Sequence, residues 1–484
     1  MTSHRSLALA ALLGLLLVGC GEAATDQPVR ITEDERAYGA EQHVALLAEF
    51  GGAYQAEEAR YVATIGERMA SAAGLEGQCS FTLVNSDVVN AFAVPGCFIY
   101  VTRGLVAIVG SEAELASVLG HELGHIAARH AQRQERRSLW RRLGVIAVGL
   151  SGSERLTRLA GRAAQFFTLR YSRGQEYAAD DHGIRYLQHA GYDVHAAAAM
   201  LAALGRQERY MSARAGRDSA RGIPEWALSH PLTQHRIDRA GATADATGLA
   251  DDALPENTDA YLSEIDGLLY GDDPEQGFVT GRRFAHPVMR VTFEAPPGFT
   301  LTNSPQTIRL QGPGGIVGEF GGGALPPGGL DRYAELLAQQ TAGDVPAEVA
   351  AAERTAVNGT QAVLLQMRLA VRQGTVPVAI AVYDGGDGQA YHMVVISPPA
   401  DANAAPVLAL IRSFRRLSAA EAAQLRPRIV RVVQVGPADT ASTLISRMAD
   451  STPAALFELL NGKSAGQPLR PGERVKLVTY DEES

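Results

Sequence analysis

The pentad His-Glu-x-x-His, from His121 to His125, constrains this chain more than any other feature of its sequence. Residues 111–136 around it have a helical pattern, with a capping serine followed by two glutamates in the first turn. Because residues four apart lie on one helix face, both imidazoles can reach one ion. Glu122 points to the same side, near enough to take a proton from a water molecule there. The pentad therefore predicts a helix that carries a metal site.

The ligand types favour zinc, since it suits two neutral imidazoles and a carboxylate with one position open, and one Zn2+ per chain is expected. The residue six positions after His125 is Ala131, which excludes a three-histidine arrangement. His130 falls on a different helical face and is predicted to be a surface residue. The better third ligand is Glu176, which begins a helical turn, and Asp180 follows it on the same face. Asp180 is expected to bind the far nitrogen of a ligand histidine and to fix its tautomer.

These motifs together resemble the M48 family of metallopeptidases. The pentad is followed by Ser-Arg-x-x-Glu-x-x-Ala-Asp at residues 172–180, and residues 90–105 are similar to the family's segment before the zinc helix. Ser-His-Pro at 229–231 is similar to its segment after the third ligand. The four motifs occur in order over about residues 35–245. The resemblance implies a mainly helical gluzincin-type domain with a small β-sheet, zinc held by His121, His125 and Glu176, and Glu122 as general base.

The resemblance also implies roles for residues around the cleft. An edge strand at 90–94 would bind an extended peptide through main-chain hydrogen bonds, and the cleft residues are expected to be Asn90, Ala91, Phe92 and Ala93. His230 has three interpretations: an oxyanion donor in catalysis, a fourth zinc ligand that keeps the enzyme latent, as in periplasmic members of the family, or a structural histidine. Arg236 is expected to pair with an acid in the core, and a contact with the oxyanion is the alternative.

The N-terminus has the pattern of a targeting segment. Residues 1–20 form a predicted signal peptide whose apolar run ends in Leu-Val-Gly-Cys, which looks like a lipobox with Cys20 as the lipidated residue. The alternative is a plain signal peptide with an incidental cysteine. Residues 21–31 would be a tether. By resemblance to enterobacterial sorting rules, Gly21 after the cysteine favours an outer-membrane lipoprotein that faces the periplasm.

Two further cysteines, Cys79 and Cys97, stand at the starts of predicted strands. Export implies an oxidising compartment, so a disulfide between them is one interpretation and two separate buried thiols the other. Cys97 departs from the family, which usually has a second glycine at this position.

The chain is predicted to be an α+β multidomain protein. A metallopeptidase domain spans 32–284, an α+β accessory domain that loosely resembles the PsbP-like fold spans 285–420, and 421–484 form a small C-terminal unit. Residues 429–479 look somewhat like a LysM module, which would bind peptidoglycan; the alternative is a packing domain without a ligand.

The expected function is that of a zinc-dependent endopeptidase acting on unfolded or misassembled envelope proteins. The alternative is a latent protease that serves mainly as a chaperone or scaffold for outer-membrane protein assembly. The formal net charge of −9 gives no global signature of nucleic-acid binding, and none is expected. A local arginine cluster is interpreted as a solvated helix face or as a contact with anionic lipid, and it comprises Arg136, Arg137, Arg141 and Arg142.

Overall fold

The computed structural model describes residues 29–132, 171–215, 225–371, 374–398 and 403–481. The predicted signal peptide, Cys20 and the arginine cluster at 136–142 lie outside the described residues, as does most of the predicted tether. Within the described ranges, no helix combines the length and apolar character needed to cross a membrane.

Most of the described helices lie before residue 265. The described helices are α1 (Glu33–Glu49), α2 (Glu57–Ala72), α3 (Arg103–Ile108), α4 (Glu112–Ala127), α5 (Arg173–Ala190), α6 (Ala196–Ala215), α7 (Glu225–Ser229), α8 (Gln234–Asp245), α9 (Thr258–Glu264), α10 (Gly329–Ala342), α11 (Ala404–Arg412), α12 (Ala419–Ala423), α13 (Ala441–Ile445) and α14 (Pro453–Asn461).

The strands of the described residues form four sheets. They are β1 (Ser80–Val84), β2 (Ala91–Val94), β3 (Phe98–Thr102), β4 (Leu269–Tyr270), β5 (Phe278–Thr280), β6 (Arg283–His286), β7 (Val291–Glu294), β8 (Thr300–Asn303), β9 (Ile308–Gln311), β10 (Val317–Ala324), β11 (Ala347–Val357), β12 (Thr360–Val371), β13 (Gly374–Gly386), β14 (Gln389–Ile396), β15 (Arg415–Arg416), β16 (Arg428–Gln434) and β17 (Arg474–Tyr480).

The first sheet has the order β1-β3-β2, with β2 at the edge, as predicted for residues 90–94. Cys79 and Cys97 form a disulfide beside it, which is the first of the two interpretations of these cysteines. Cys97 has a φ of 62°. This left-handed conformation explains why a glycine would fit the position.

Helix α4 begins as predicted, with the Ser111 hydroxyl accepting a hydrogen bond from the Glu114 backbone N–H at 3.1 Å. It crosses α5 at glycines, because a Cβ on Gly120 would lie 3.2 Å from the Gly183 Cα, and one on Gly124 would lie 2.8 Å from the Ala179 carbonyl oxygen. The absence of side chains at these positions lets the two helix backbones touch. Side chains on the facing turns can therefore meet.

The prediction that this helix continues to about Arg136 is wrong. It ends at Ala127, and Arg129 adopts a left-handed conformation with a φ of 50°. A turn at residues 128–129 interrupts the helix, so the helical spacing used to assign faces beyond Ala127 does not apply.

The accessory region contains a seven-stranded sheet in the order β11-β12-β13-β14-β10-β9-β8. One apolar cluster packs on the face covered by α11, where Phe414 and Tyr383 stack at 4.0 Å. A second cluster packs on the other face under α10. The strands β7, β6 and β5 form a separate sheet with β15. The α+β character predicted for this region is confirmed.

The C-terminal residues form a strand, two helices and a strand, with β16 and β17 antiparallel. Strand β16 also pairs with β4, so this unit completes a sheet with the region before it. Its apolar residues belong to the same core as those of α2, α4 and α6. The boundary at 420/421 remains a prediction, and the C-terminal unit shares its core with the helices that carry the pentad and Met200.

Candidate metal centre

The two histidines of the pentad lie on the buried side of α4. His121 is 1% exposed and His125 is 3% exposed, and their Nε2 atoms are 3.0 Å apart. Ligand nitrogens around a tetrahedral zinc ion are about 3.3 Å apart, given zinc–nitrogen bonds of 2.0–2.1 Å. The spacing of the two Nε2 atoms therefore fits a shared ion.

Helix α5 brings a carboxylate to these nitrogens. Ser172 caps the helix together with Gln175, which places Glu176 in the first turn. One Glu176 oxygen lies 3.5 Å from the His125 Nε2 and the other lies 3.6 Å from the His121 Nε2. The structure thus brings together the three residues that the sequence singled out as metal ligands.

His230 joins the same cluster. Its Nδ1 lies 3.1 Å from a Glu176 oxygen and 3.3 Å from the His121 Nε2, and the indole of Trp226 stacks on its ring at 4.3 Å. Ligand atoms of the four residues lie within 4.8 Å of one another. His230 therefore has the position of a fourth ligand.

Asp180 and Arg236 lie behind His121. The His121 Nδ1 is 2.9 Å from an Asp180 oxygen, and Arg236 donates to both oxygens of Asp180, at 2.7 and 2.8 Å. Burial opposes ionisation of this carboxyl, but the hydrogen bonds and charge of Arg236 prevail and lower the pKa of Asp180 to about 2. The Nη1 of Arg236 is also 2.6 Å from Glu176, so Arg236 pairs with acids in the core, as expected.

Glu122 has an environment that suits a general base. It is 1% exposed, and its Oε1 has no hydrogen-bond partner and lies 3.7 Å from the His230 Nε2. Burial raises the pKa of Glu122. An unpartnered oxygen beside converging ligand nitrogens is where a reacting water molecule would be held.

The prediction that His130 is a surface residue is wrong. His130 is 3% exposed, and its Nδ1 lies 2.9 Å from the His125 Nδ1. The left-handed turn at Arg129 is the physical reason, since it interrupts the helical spacing on which the surface position was predicted.

The predicted cleft residues, Asn90 and the first three residues of β2, have different surroundings. Asn90 and Ala91 are fully buried. The ring of Phe92 stacks on Tyr100 at 4.9 Å and lies near Phe50 on the α1 side. Ala93 lines a groove that also contains His125 and Tyr171.

Two aromatic residues of the site were missed by sequence reasoning. The Tyr171 ring stacks on His125 with centroids 3.9 Å apart, and Trp226 stacks on His230. Each lies a few residues from a recognised motif, and this proximity was the signal available.

Two histidines and an intervening glutamate on one helix, with a carboxylate from the next helix, define a metallopeptidase-type site. Residues 56–244 match the model described as peptidase family M48, so the chain carries an M48 metallopeptidase domain.

Curated relatives agree with this assignment. The chain is 33% identical over 212 residues to the Beta-barrel assembly-enhancing protease of Yersinia pestis, covering 41% of this chain and 40% of that protein. It is 27% identical over 191 residues to the Metalloprotease LoiP of Escherichia coli, covering 38% of this chain and 72% of the relative. The chain thus spans about two fifths of the length of the first relative.

Among solved structures, cyanobacterial PsbP from Synechocystis is similar in fold to part of this chain, with 16% sequence identity and a TM-score of 0.24. The aligned region covers 30% of this chain and 98% of the PsbP chain. No conclusion about function follows from a likeness of this degree.

Proposed function

We propose that this protein is a zinc-dependent endopeptidase of the bacterial envelope that cleaves unfolded or misassembled proteins. The observation that carries the proposal is the convergence of two imidazole Nε2 atoms and the Glu176 carboxylate beside the unpartnered oxygen of Glu122. His121, His125 and Glu176 would hold the ion, which when bound supplies Lewis acidity toward water and the substrate carbonyl.

The protein residues have separate tasks in this scheme. Glu122 accepts the proton of the attacking water molecule through its buried carboxylate. Asp180 holds the tautomer and orientation of His121, and Arg236 fixes Asp180. The edge strand β2 offers main-chain groups to an extended substrate, which gives affinity with little sequence preference. Such binding suits unfolded polypeptides.

The position of His230 supports a latent ground state. Its Nδ1 faces Glu176 and His121 in the way that a fourth ligand would, and this would occupy the position that water and substrate need. A chaperone or scaffold function in outer-membrane assembly is the second candidate, since a latent site is compatible with binding without cleavage.

The envelope location is part of the proposal. It is supported by the lipobox-like sequence that ends at Cys20 and by the relatives named for β-barrel assembly. The LysM-like pattern in 429–479 supports a peptidoglycan contact. Co-sedimentation of the full chain with purified peptidoglycan tests this contact, and a protein that stays in solution would overturn it.

The peptidase is tested with the full chain, purified in detergent, beside Glu122→Gln. We expect one equivalent of zinc in both proteins and a loss of casein cleavage of at least about 100-fold in the variant, which keeps the ligands but lacks the base. Zinc without cleavage in the wild type under all conditions would favour the chaperone function. A wild type without zinc would overturn the metal centre.

A further inference from the structure

A sharp turn follows the metal-binding helix. After α4 ends at Ala127, Arg129 adopts a left-handed backbone, which is uncommon for a residue with a side chain. Two hydrogen bonds hold its guanidinium: Nη1 donates to Glu35 at 2.5 Å, and Nη2 donates to the Arg30 carbonyl oxygen at 3.0 Å. The surrounding structure therefore stabilises this turn and the placement of the next residue.

That residue, His130, lies behind a metal ligand and outside the ligand cluster. Its Nδ1 is 2.9 Å from the Nδ1 of His125, and the two rings meet edge to face at 70° with centroids 5.0 Å apart. The other ring nitrogen of His125, Nε2, is the one that faces His121 and Glu176.

This arrangement selects one tautomer of His125. An imidazole that offers its Nε2 lone pair to a metal carries its hydrogen on Nδ1 and donates it to an outer partner. For His121 this partner is Asp180, at 2.9 Å. For His125 the atom in the corresponding position is the His130 Nδ1, which must then be an acceptor.

We propose that His130 is the positioning residue of His125, as Asp180 is of His121; this rests on the metal centre proposed above. The two ligands would be held differently, one by a carboxylate and the other by a neutral imidazole. Stacking of Tyr171 on the His125 ring fixes the ring plane, but it does not determine which ring nitrogen carries the hydrogen. The hydrogen bond that the His125 Nδ1–H donates to His130 provides that distinction.

The experiment measures zinc affinity of the full chain by competition with a chromophoric chelator, for the wild type, His130→Leu, His130→Asn and His130→Gln. Asparagine presents its amide near the position of Nδ1, whereas glutamine presents it near that of Nε2. We expect zinc binding about 10- to 100-fold weaker in the leucine and glutamine variants. The asparagine variant should stay within about threefold of the wild type. Cobalt(II) absorption in the visible range reports the ligand geometry independently of activity.

His189→Leu is the matched control, because His189 is an exposed histidine in the last turn of α5 and should leave zinc affinity unchanged. Melting temperatures of the zinc-free proteins separate misfolding from ligand misplacement. If His130→Leu does not fold, the asparagine and glutamine pair decides the proposal. Wild-type affinity in His130→Leu, or equal losses with asparagine and glutamine, would overturn it. A wild type that binds no zinc would instead overturn the metal centre itself, and this proposal with it.

Discussion

Lys476 on β17 donates a hydrogen bond through its Nζ to the carbonyl oxygen of Val109, at 2.6 Å, just before the metal-binding helix begins. The same Nζ donates to the Ala107 carbonyl oxygen at 2.8 Å, and Lys476 is only 2% exposed. Burial lowers the pKa of Lys476 to about 7, and the charge of Glu114 in the first turn of α4 opposes this shift. The C-terminal unit therefore contributes a buried amino group to the part of the peptidase domain that precedes the metal-binding helix.

We expect Lys476→Met to destabilise the peptidase domain by about 3–5 kcal/mol. The substitution leaves two carbonyl groups without their donor and removes the cation that Glu114 interacts with. Urea unfolding followed by tryptophan fluorescence measures the effect. Trp226 is buried beside His230 and reports on the site, and Trp140→Phe removes the second tryptophan of the chain.

The double variant Glu114→Gln/Lys476→Met is the control for the charge interaction. Because it removes both charges, we expect it to recover about 1–3 kcal/mol relative to Lys476→Met. A single variant within about 0.5 kcal/mol of the wild type would contradict the structural role of Lys476.

We expect His230→Ala to raise the rate of casein cleavage several-fold. If the Nδ1 of His230 occupies the position of a fourth ligand, its removal opens that position to water and substrate. The rate is compared at saturating zinc with that of the wild type and of the control His189→Ala. Lower cleavage in His230→Ala with unchanged zinc content would instead favour the oxyanion interpretation.

The grouping of His121, His125 and Glu176 could be foreseen from the sequence because it rests on local geometry. The i, i+4 spacing in the pentad and the capped start of α5 fix which side chains share a face. The resemblance to M48 peptidases supplied the expectation that these two helices meet. Their close crossing at Gly120 and Gly183 is the tertiary fact that makes it possible.

The features that the sequence did not predict depend on tertiary contacts, which leave little trace in the local sequence pattern. His130 was assigned to a surface because the helix was assumed to be continuous, whereas Arg129 breaks it with support from distant Glu35. Strand β11 has no clear strand pattern either, since its sequence is rich in alanine and mostly exposed, and only pairing with β12 defines it. In both places long-range contacts override local preference.

We expect Arg236→Lys to lower stability by about 1–3 kcal/mol and to weaken zinc binding. Arg236 donates to both oxygens of Asp180 and also contacts Glu176. A lysine ammonium cannot reproduce the bidentate hydrogen bonding of the planar guanidinium. Denaturant unfolding and chelator competition measure the two effects. Arg239→Lys is the control, because Arg239 makes a similar two-pronged contact with Asp181 at a partly exposed site away from the ligands. Equal effects of the two substitutions would contradict the positioning role of Arg236.

We expect loss of the Cys79–Cys97 disulfide to cost about 3 kcal/mol, as estimated for a loop of 18 residues. The replacement at residue 97 should matter in addition, because its φ of 62° disfavours any residue with a Cβ. Cys79→Ala/Cys97→Gly should therefore be about 1 kcal/mol more stable than Cys79→Ala/Cys97→Ala, although alanine is the better residue in most backbone conformations. Urea unfolding of both double variants, without reductant, measures the difference. An alanine variant as stable as the glycine variant would show that the left-handed turn relaxes once the disulfide is gone.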